Sequence, residues 1–272
     1  MELWIIANIV VVGFVAGTLG GLLGVGGSVI MIPCLVLLLG QGDTYNQHLY
    51  QAAAMIANVL ISLPASIRHY RSGAVIPAAL RRIFPFALIA IFVGVWSSNQ
   101  PLFHGREGAV LLGRCLALFI AYVIYVNVRK LFSSRQSPES ESGVPSEINV
   151  PRAGFVGTVM GFVAGLMGIG GGAIAVPLQQ ILLKFPLKSC IANSSAIICM
   201  TSTVGAVYKN ATLPFHNLSI YHSLLIAAML APTATIGGYL GANLTHVLPV
   251  RTVRIAFIAL MLIACWRLAA LG

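Results

Sequence analysis

Gly24-Val25-Gly26-Gly27-Ser28-Val29-Ile30-Met31-Ile32-Pro33 is written a second time, with small changes, as Gly168-Ile169-Gly170-Gly171-Gly172-Ala173-Ile174-Ala175-Val176-Pro177, 144 residues further on. Each copy interrupts a long apolar stretch, 3–39 in the first case and 153–183 in the second. The first stretch is too long for one ordinary membrane span and barely long enough for two, at roughly 20 residues per crossing. Glycine at this density interrupts a helix, because it fixes no backbone conformation of its own. The repeat therefore predicts two half-length units that carry one paired site.

The likeness continues away from the glycines. At the same 144-residue offset Gly17 meets Gly161, Gly94 meets Gly238 and Asn99 meets Asn243, while an offset of 140 brings Arg114 onto Arg254. Internal duplication accounts for all of these at once. Between the copies, Ser133-Ser134-Arg135-Gln136-Ser137-Pro138-Glu139-Ser140-Glu141-Ser142-Gly143 is polar, low in complexity and unable to bury an apolar face. The expected division is a first transmembrane repeat over 1–128, a polar cytoplasmic linker over 129–150 and a second transmembrane repeat over 151–272.

Composition decides the solvent. Hydrophobic residues make up 58% of the chain and charged residues 8%, with a mean hydropathy of +0.93. A soluble domain carries roughly 25% charged residues, so this surface faces lipid. Apolar runs at 49–67, 83–98, 107–128, 189–208, 218–245 and 250–268 have spanning length or close to it. The expected fold is all-α, a polytopic transmembrane helical protein with two inverted repeats and glycine-broken or re-entrant segments. The first apolar stretch is a poor cleavable leader, since Glu2 stands where a positive region belongs. A net charge of +10 would suit a nucleic-acid partner in a soluble chain, but here the basic residues border apolar runs and form no stripe, which argues for a lipid bilayer and no nucleic acid. The five cysteines lie in or beside apolar runs with no CxxC pair, as buried hydrophobes do.

The basic residues also predict how the halves face each other. If each glycine-broken segment returns to the side it entered from, one face collects Arg68, Arg71, Arg81, Arg82, Arg129, Lys130, Arg135, Arg152, Lys184, Lys188, Arg251 and Arg254. The other receives Arg106, Lys209 and Arg267, with Arg114 near the outer end of its helix. That imbalance matches the positive-inside rule and makes the first face cytoplasmic. An odd number of passes per half then turns the two repeats antiparallel, the arrangement in which many carriers hold substrate near the midplane.

Irregular backbone at membrane depth survives only inside protein or along a water-filled cavity, so the glycine segments should face the interior. The residues after them, Ser28–Leu39 and Ala173–Leu183, would start half-helices whose free N–H groups bind an anion without a side-chain charge. Pro33 and Pro177 would kink or break those first turns. The expected substrate contacts are Gly24, Gly26, Gly27 and Ser28 in the first copy and Gly168, Gly170, Gly171 and Gly172 in the second. Asn193, Ser194 and Ser195 add neutral donors, with Asn58 and Ser62 on the comparable helix of the first half, and Arg114 is the one strong base expected within a span. Close helix packing is the competing reading for the glycines, most of all for Gly13 and Gly17. Self-satisfied helix hydroxyls compete for the serines and threonines.

All six acidic residues fall near span ends or in loops. This argues against cation pumps built on buried carboxylates and against metal sites. The histidines form no metal spacing, and no nucleophile–base–acid set can be assembled in the spans, so neither an enzyme nor a cofactor is expected. A small anionic substrate is. A carrier and an anion channel with a glycine-loop filter are the two open readings. One chain holds the whole inverted pair, which leaves oligomeric state open.

The repeated Gly-x-Gly-Gly-(Gly/Ser)-x-x-x-x-Pro, the small-residue helices before it, the hydrophilic centre and the length resemble the TauE/SafE sulfite exporter family, also called the four-toluene-sulfonate uptake permease family, from about 5 to 268. The resemblance implies a multi-pass protein of the bacterial cytoplasmic membrane that moves sulfite, sulfoacetate or related organosulfonates. It places the family's signatures on Gly24, Gly26, Gly27 and Pro33, and on Gly168, Gly170, Gly171, Gly172 and Pro177. Ser28 stands where the second copy has Gly172, and Gln51-Ala52-Ala53-Ala54 lacks the hydroxyls of Asn193-Ser194-Ser195. The two halves of the site are therefore expected to differ.

Overall fold

The computed structural model describes residues 3–39, 47–103 and 148–244 throughout, with separate positions within 107–131 and 251–262. Eight helices organise the continuous parts: α1 (Leu3–Leu23), α2 (Ser28–Leu39), α3 (Gln47–Arg71), α4 (Pro77–Ser98), α5 (Val150–Met167), α6 (Gly172–Leu178), α7 (Leu187–Thr212) and α8 (Ile220–Leu244). No strand occurs among the described residues. Of the helices expected at 107–128 and 250–268 only separate positions are described, and each of those is helical; most of the 129–150 linker lies outside the described residues.

Local chemistry explains the helix boundaries. Pro77 and Pro151 occupy first-turn positions, where a missing N–H costs nothing. The Asn149 side chain caps α5 by accepting from Arg152 N at 3.1 Å. Gly168 ends α5 in a left-handed conformation, its N–H bonded to the Ala164 carbonyl at 2.9 Å. Pro177 does not end its helix outright; the backbone passes into one wide π turn over Gln179–Leu183.

Six of the described helical segments are long and apolar enough to cross a membrane. Large side chains such as Phe86, Ile89, Phe92 and Trp96 on α4 or Leu224, Ile236 and Tyr239 on α8 are exposed, as lipid-facing positions are. The two helices after the glycines are different. At 12 residues α2 is about 18 Å long, little more than half a bilayer core, and α6 with its π turn, Gly172–Leu183, is equally short. Each broken stretch is thus one long helix followed by one half-length helix.

Packing exchanges partners between the halves. Along α1 and α8, Gly13 faces Leu230, Gly17 faces Ala234 and Gly21 faces Gly238, so these two helices run parallel with backbones in contact. Along α4 and α5, Ile83 meets Gly157, Ala87 meets Gly161 and Ile91 meets Gly165, again in parallel. Small residues permit this approach, and dispersion between the backbones holds it. The central pair behaves otherwise. Gln51 touches Lys209, Met55 touches Gly205 and Ser62 touches Cys199, so α3 and α7 run antiparallel. They cross at Asn58 and Ser202, two positions that are themselves 144 residues apart.

One end of the bundle gathers the basic residues around 68–82 and 148–152. Arg82 donates to the Ile148 carbonyl, Arg68 Nε donates to Asn243 Oδ1 at 2.9 Å, and Ile76 N donates to Asn193 Oδ1 near the start of α7 at 2.8 Å. At the opposite end the structure departs from expectation. Lys209, expected outside the spans, belongs to α7, which runs on to Thr212, and is 3% exposed.

Candidate functional site

The two glycine turns meet halfway along α3. In the first, Gly24 and Gly26 have φ of +62° and +83°, values that side chains disfavour. This backbone puts Ser28, at the start of α2, against Asn58. Ser28 N donates to Asn58 Oδ1 at 3.0 Å, and Asn58 Nδ2 donates to Ser28 Oγ at 2.6 Å, with both residues fully buried. The amide satisfies an otherwise orphaned helix N–H and fixes the turn.

The second turn reaches the same amide from the other half. Gly168, Gly170 and Gly171 have φ of +69°, +70° and +77°. A methyl group added at Gly170 would lie 2.8 Å from Asn58 Nδ2 and 2.9 Å from Ser202 Oγ. One added at Gly172 would collide with the Val25 carbonyl, so the turns touch directly. Thr201 Oγ1 donates to the Ile197 carbonyl of its own helix at 2.8 Å and lies 3.3 Å from the Gly170 carbonyl, while Ser202 Oγ is buried with no hydrogen-bond partner. The N–H groups of Gly26, Gly27, Gly170 and Gly171 likewise take no hydrogen-bond partner among the described residues. Backbone N–H groups from both halves thus stand close to one buried amide, a grouping of the kind that can bind an anion.

The remaining expected residues divide. Ser194 Oγ donates to the Gly24 carbonyl at 2.6 Å and so belongs to the first turn. Asn193 is turned away: its Oδ1 accepts from Ile76 N and its Nδ2 donates to Gln179 Oε1 at 3.3 Å. Ser195 bonds back to the Ile191 carbonyl of its own helix at 3.0 Å. Arg114 is exposed, not enclosed with the turns.

Four residues carry more of this region than their sequence context suggests. Asn58 and Ser202 form the crossing point. Gln51 is fully buried, its Cβ packed where a Gly168 side chain would stand. Lys209 Nζ donates to Gln51 Oε1 at 2.6 Å and to Ser98 Oγ at 3.1 Å, which makes it a strong base enclosed within a span, a place assigned above to Arg114 alone. A polar residue in an apolar run was the available signal for Asn58 and Gln51. For Lys209 there was little, because it adjoins the polar residues Asn210 and Thr212 and looks like a helix end.

The side chains here are amides, hydroxyls and one ammonium. Among the described residues no group of three His, Cys, Asp or Glu side chains could hold a metal ion, and the one described acid, Glu107, is exposed. Such a lining binds by hydrogen bonds and charge.

Comparison with known proteins agrees in kind. The profile of the family described as Sulfite exporter TauE/SafE matches residues 9–268. The chain is 28% identical over 275 residues to the probable membrane transporter protein YunE of Bacillus subtilis, covering 94% of this chain and 95% of that one. A probable membrane transporter protein of Haemophilus influenzae is 27% identical over 93% of each chain. The probable membrane transporter protein MamO of Paramagnetospirillum magneticum is 26% identical over 94% of this chain, which spans only 43% of MamO. No solved structure matches the chain.

Proposed function

We propose, from the premise that the chain belongs to the sulfite exporter TauE/SafE family, that this multi-pass bacterial membrane protein is a secondary transporter of a small sulfur-containing oxyanion such as sulfite, sulfoacetate or a related organosulfonate. Membrane transport is the activity its relatives' names share. One observation carries the reading of the cargo as an anion: two glycine turns, one from each half, converge on Asn58 with unpaired N–H donors and no buried carboxylate among the described residues. The anion would sit between Gly26-Gly27-Ser28 and Gly170-Gly171-Gly172, with Gly24, Gly168 and Ser194 shaping the walls. Asn193 and Ser195 support that wall from behind, and Arg114 acts at most as a peripheral attractor.

The antiparallel crossing of α3 and α7 at positions 144 residues apart supports inverted repeats, with the basic end of the bundle cytoplasmic. In that arrangement the site would open alternately to either side while the crossing stays fixed. The test is counterflow in proteoliposomes. Preloaded sulfite should drive saturable uptake of labelled sulfite, and competition by thiosulfate, sulfoacetate, taurine or acetate would rank the class. Flux that rises linearly with concentration and shows no exchange would replace the carrier with a channel. Absence of flux for every sulfur oxyanion would overturn the substrate class.

A further inference from the structure

We propose that Lys209 forms a second anion-binding position next to the second glycine turn, so that the transported oxyanion meets an enclosed amine before or after the paired turns. The proposal rests on the transport reading above and names a site within it. The first ground is an enclosed amine with no acidic partner. Lys209 is 3% exposed within a spanning helix, and its two acceptors, Gln51 Oε1 and Ser98 Oγ, are both neutral. An ammonium carries three donors, and no carboxylate reaches this one among the described residues. A buried charge without a counter-charge is costly, and intramembrane bases are retained for function far more often than for stability.

The second ground is a pair of buried amides with unsatisfied polar atoms on the helix that Lys209 contacts. Gln51 Nε2 is buried with no hydrogen-bond partner, and so are both polar atoms of Gln47, a fully buried residue one helical turn earlier on the same face of α3. The third ammonium N–H and the Gln51 amide thus offer donors from two helices, with the Gln47 amide one turn away along α3. Gln51 also packs on Gly168, so the position adjoins the turn without coinciding with the crossing at Asn58. A purely structural lysine, tying α3, α4 and α7 together, would need no such surplus of donors. A cluster that only held water would not respond to anions.

The experiment uses the purified full chain in detergent, with thermal unfolding followed against sodium sulfite, thiosulfate and chloride at constant ionic strength. Lys209→Met removes the amine but leaves Gln51 Oε1 and Ser98 Oγ without their donor, so without added anion it should unfold somewhat below the wild-type temperature. It should also bind sulfite about tenfold or more weakly, as expected for one lost charge-assisted hydrogen bond, while Lys209→Arg retains most of the affinity. Equal sulfite affinity in Lys209→Met and wild type overturns this assignment and leaves the transport reading intact. A wild-type protein that responds to none of the three anions overturns both. Should Lys209→Met fail to fold, Gln47→Leu decides: weaker sulfite binding supports the position, and unchanged affinity overturns it.

Discussion

Asn58 holds Ser28 twice, accepting from its backbone N–H at 3.0 Å and donating to its hydroxyl at 2.6 Å, while the same amide nitrogen faces Gly170 of the other half. One side chain therefore sets the geometry of the first turn and borders the second.

Asn58→Ala should leave a buried N–H and a buried hydroxyl unsatisfied. The expected cost is about 1–3 kcal/mol of stability, together with loss of sulfite counterflow. Thermal unfolding and counterflow on the same preparation check it. A variant with wild-type melting and wild-type flux would remove Asn58 from the site.

Gly171→Val should not yield folded protein. Its φ is +77°, and an added Cβ would stand 2.5 Å from the Met160 carbonyl oxygen. Gly73→Ala is the control, because Gly73 has φ of +71° with open space around it. That change should cost about 1–2 kcal/mol of strain and leave a monodisperse protein. Size-exclusion profiles of the two variants should separate clearly.

Ser194→Ala and Asn193→Ala should part company. Ser194 touches the first turn through the Gly24 carbonyl, so its loss should weaken sulfite binding at a stability cost of about 0.5–1.5 kcal/mol. Asn193 pins Ile76 N, so its loss should lower the melting temperature and change affinity little. Titrations showing the reverse order would return Asn193 to the substrate.

Cysteines introduced at Ser72 and Ser140 in a cysteine-free background should label from the same, cytoplasmic face, and one at Gln100 from the opposite face. Ser72 and Ser140 on opposite faces would overturn the inverted arrangement.

How far the chain was readable depends on the range of the interactions involved. The breaks at Gly24–Gly27 and Gly168–Gly171 were readable because a dense glycine run has few other local explanations, and their positive φ values follow from the residue type. The long helices were readable from apolar length. Asn193 was misleading because an amide in an apolar run has a partner in any case, and which partner depends on where the turn after α3 comes to rest. Lys209 was hidden by its neighbours: polarity at a helix end signals solvent, and only the packing of Gln51 and Ser98 from two other helices encloses it. Tertiary contacts decided both outcomes.

The backbone contacts of α1 with α8 and of α4 with α5 have a consequence for the integrity of the halves. Gly17 and Gly21 find their partners only across the linker, and so do Gly157, Gly161 and Gly165. Neither half can close its own packing surface, so the halves are two interlocked components, and the linker acts as a tether that keeps their mutual concentration high. Severing the tether between Ser137 and Ser142 should therefore leave a reconstitutable pair: each fragment degraded when expressed alone, and both recovered as one complex when expressed together.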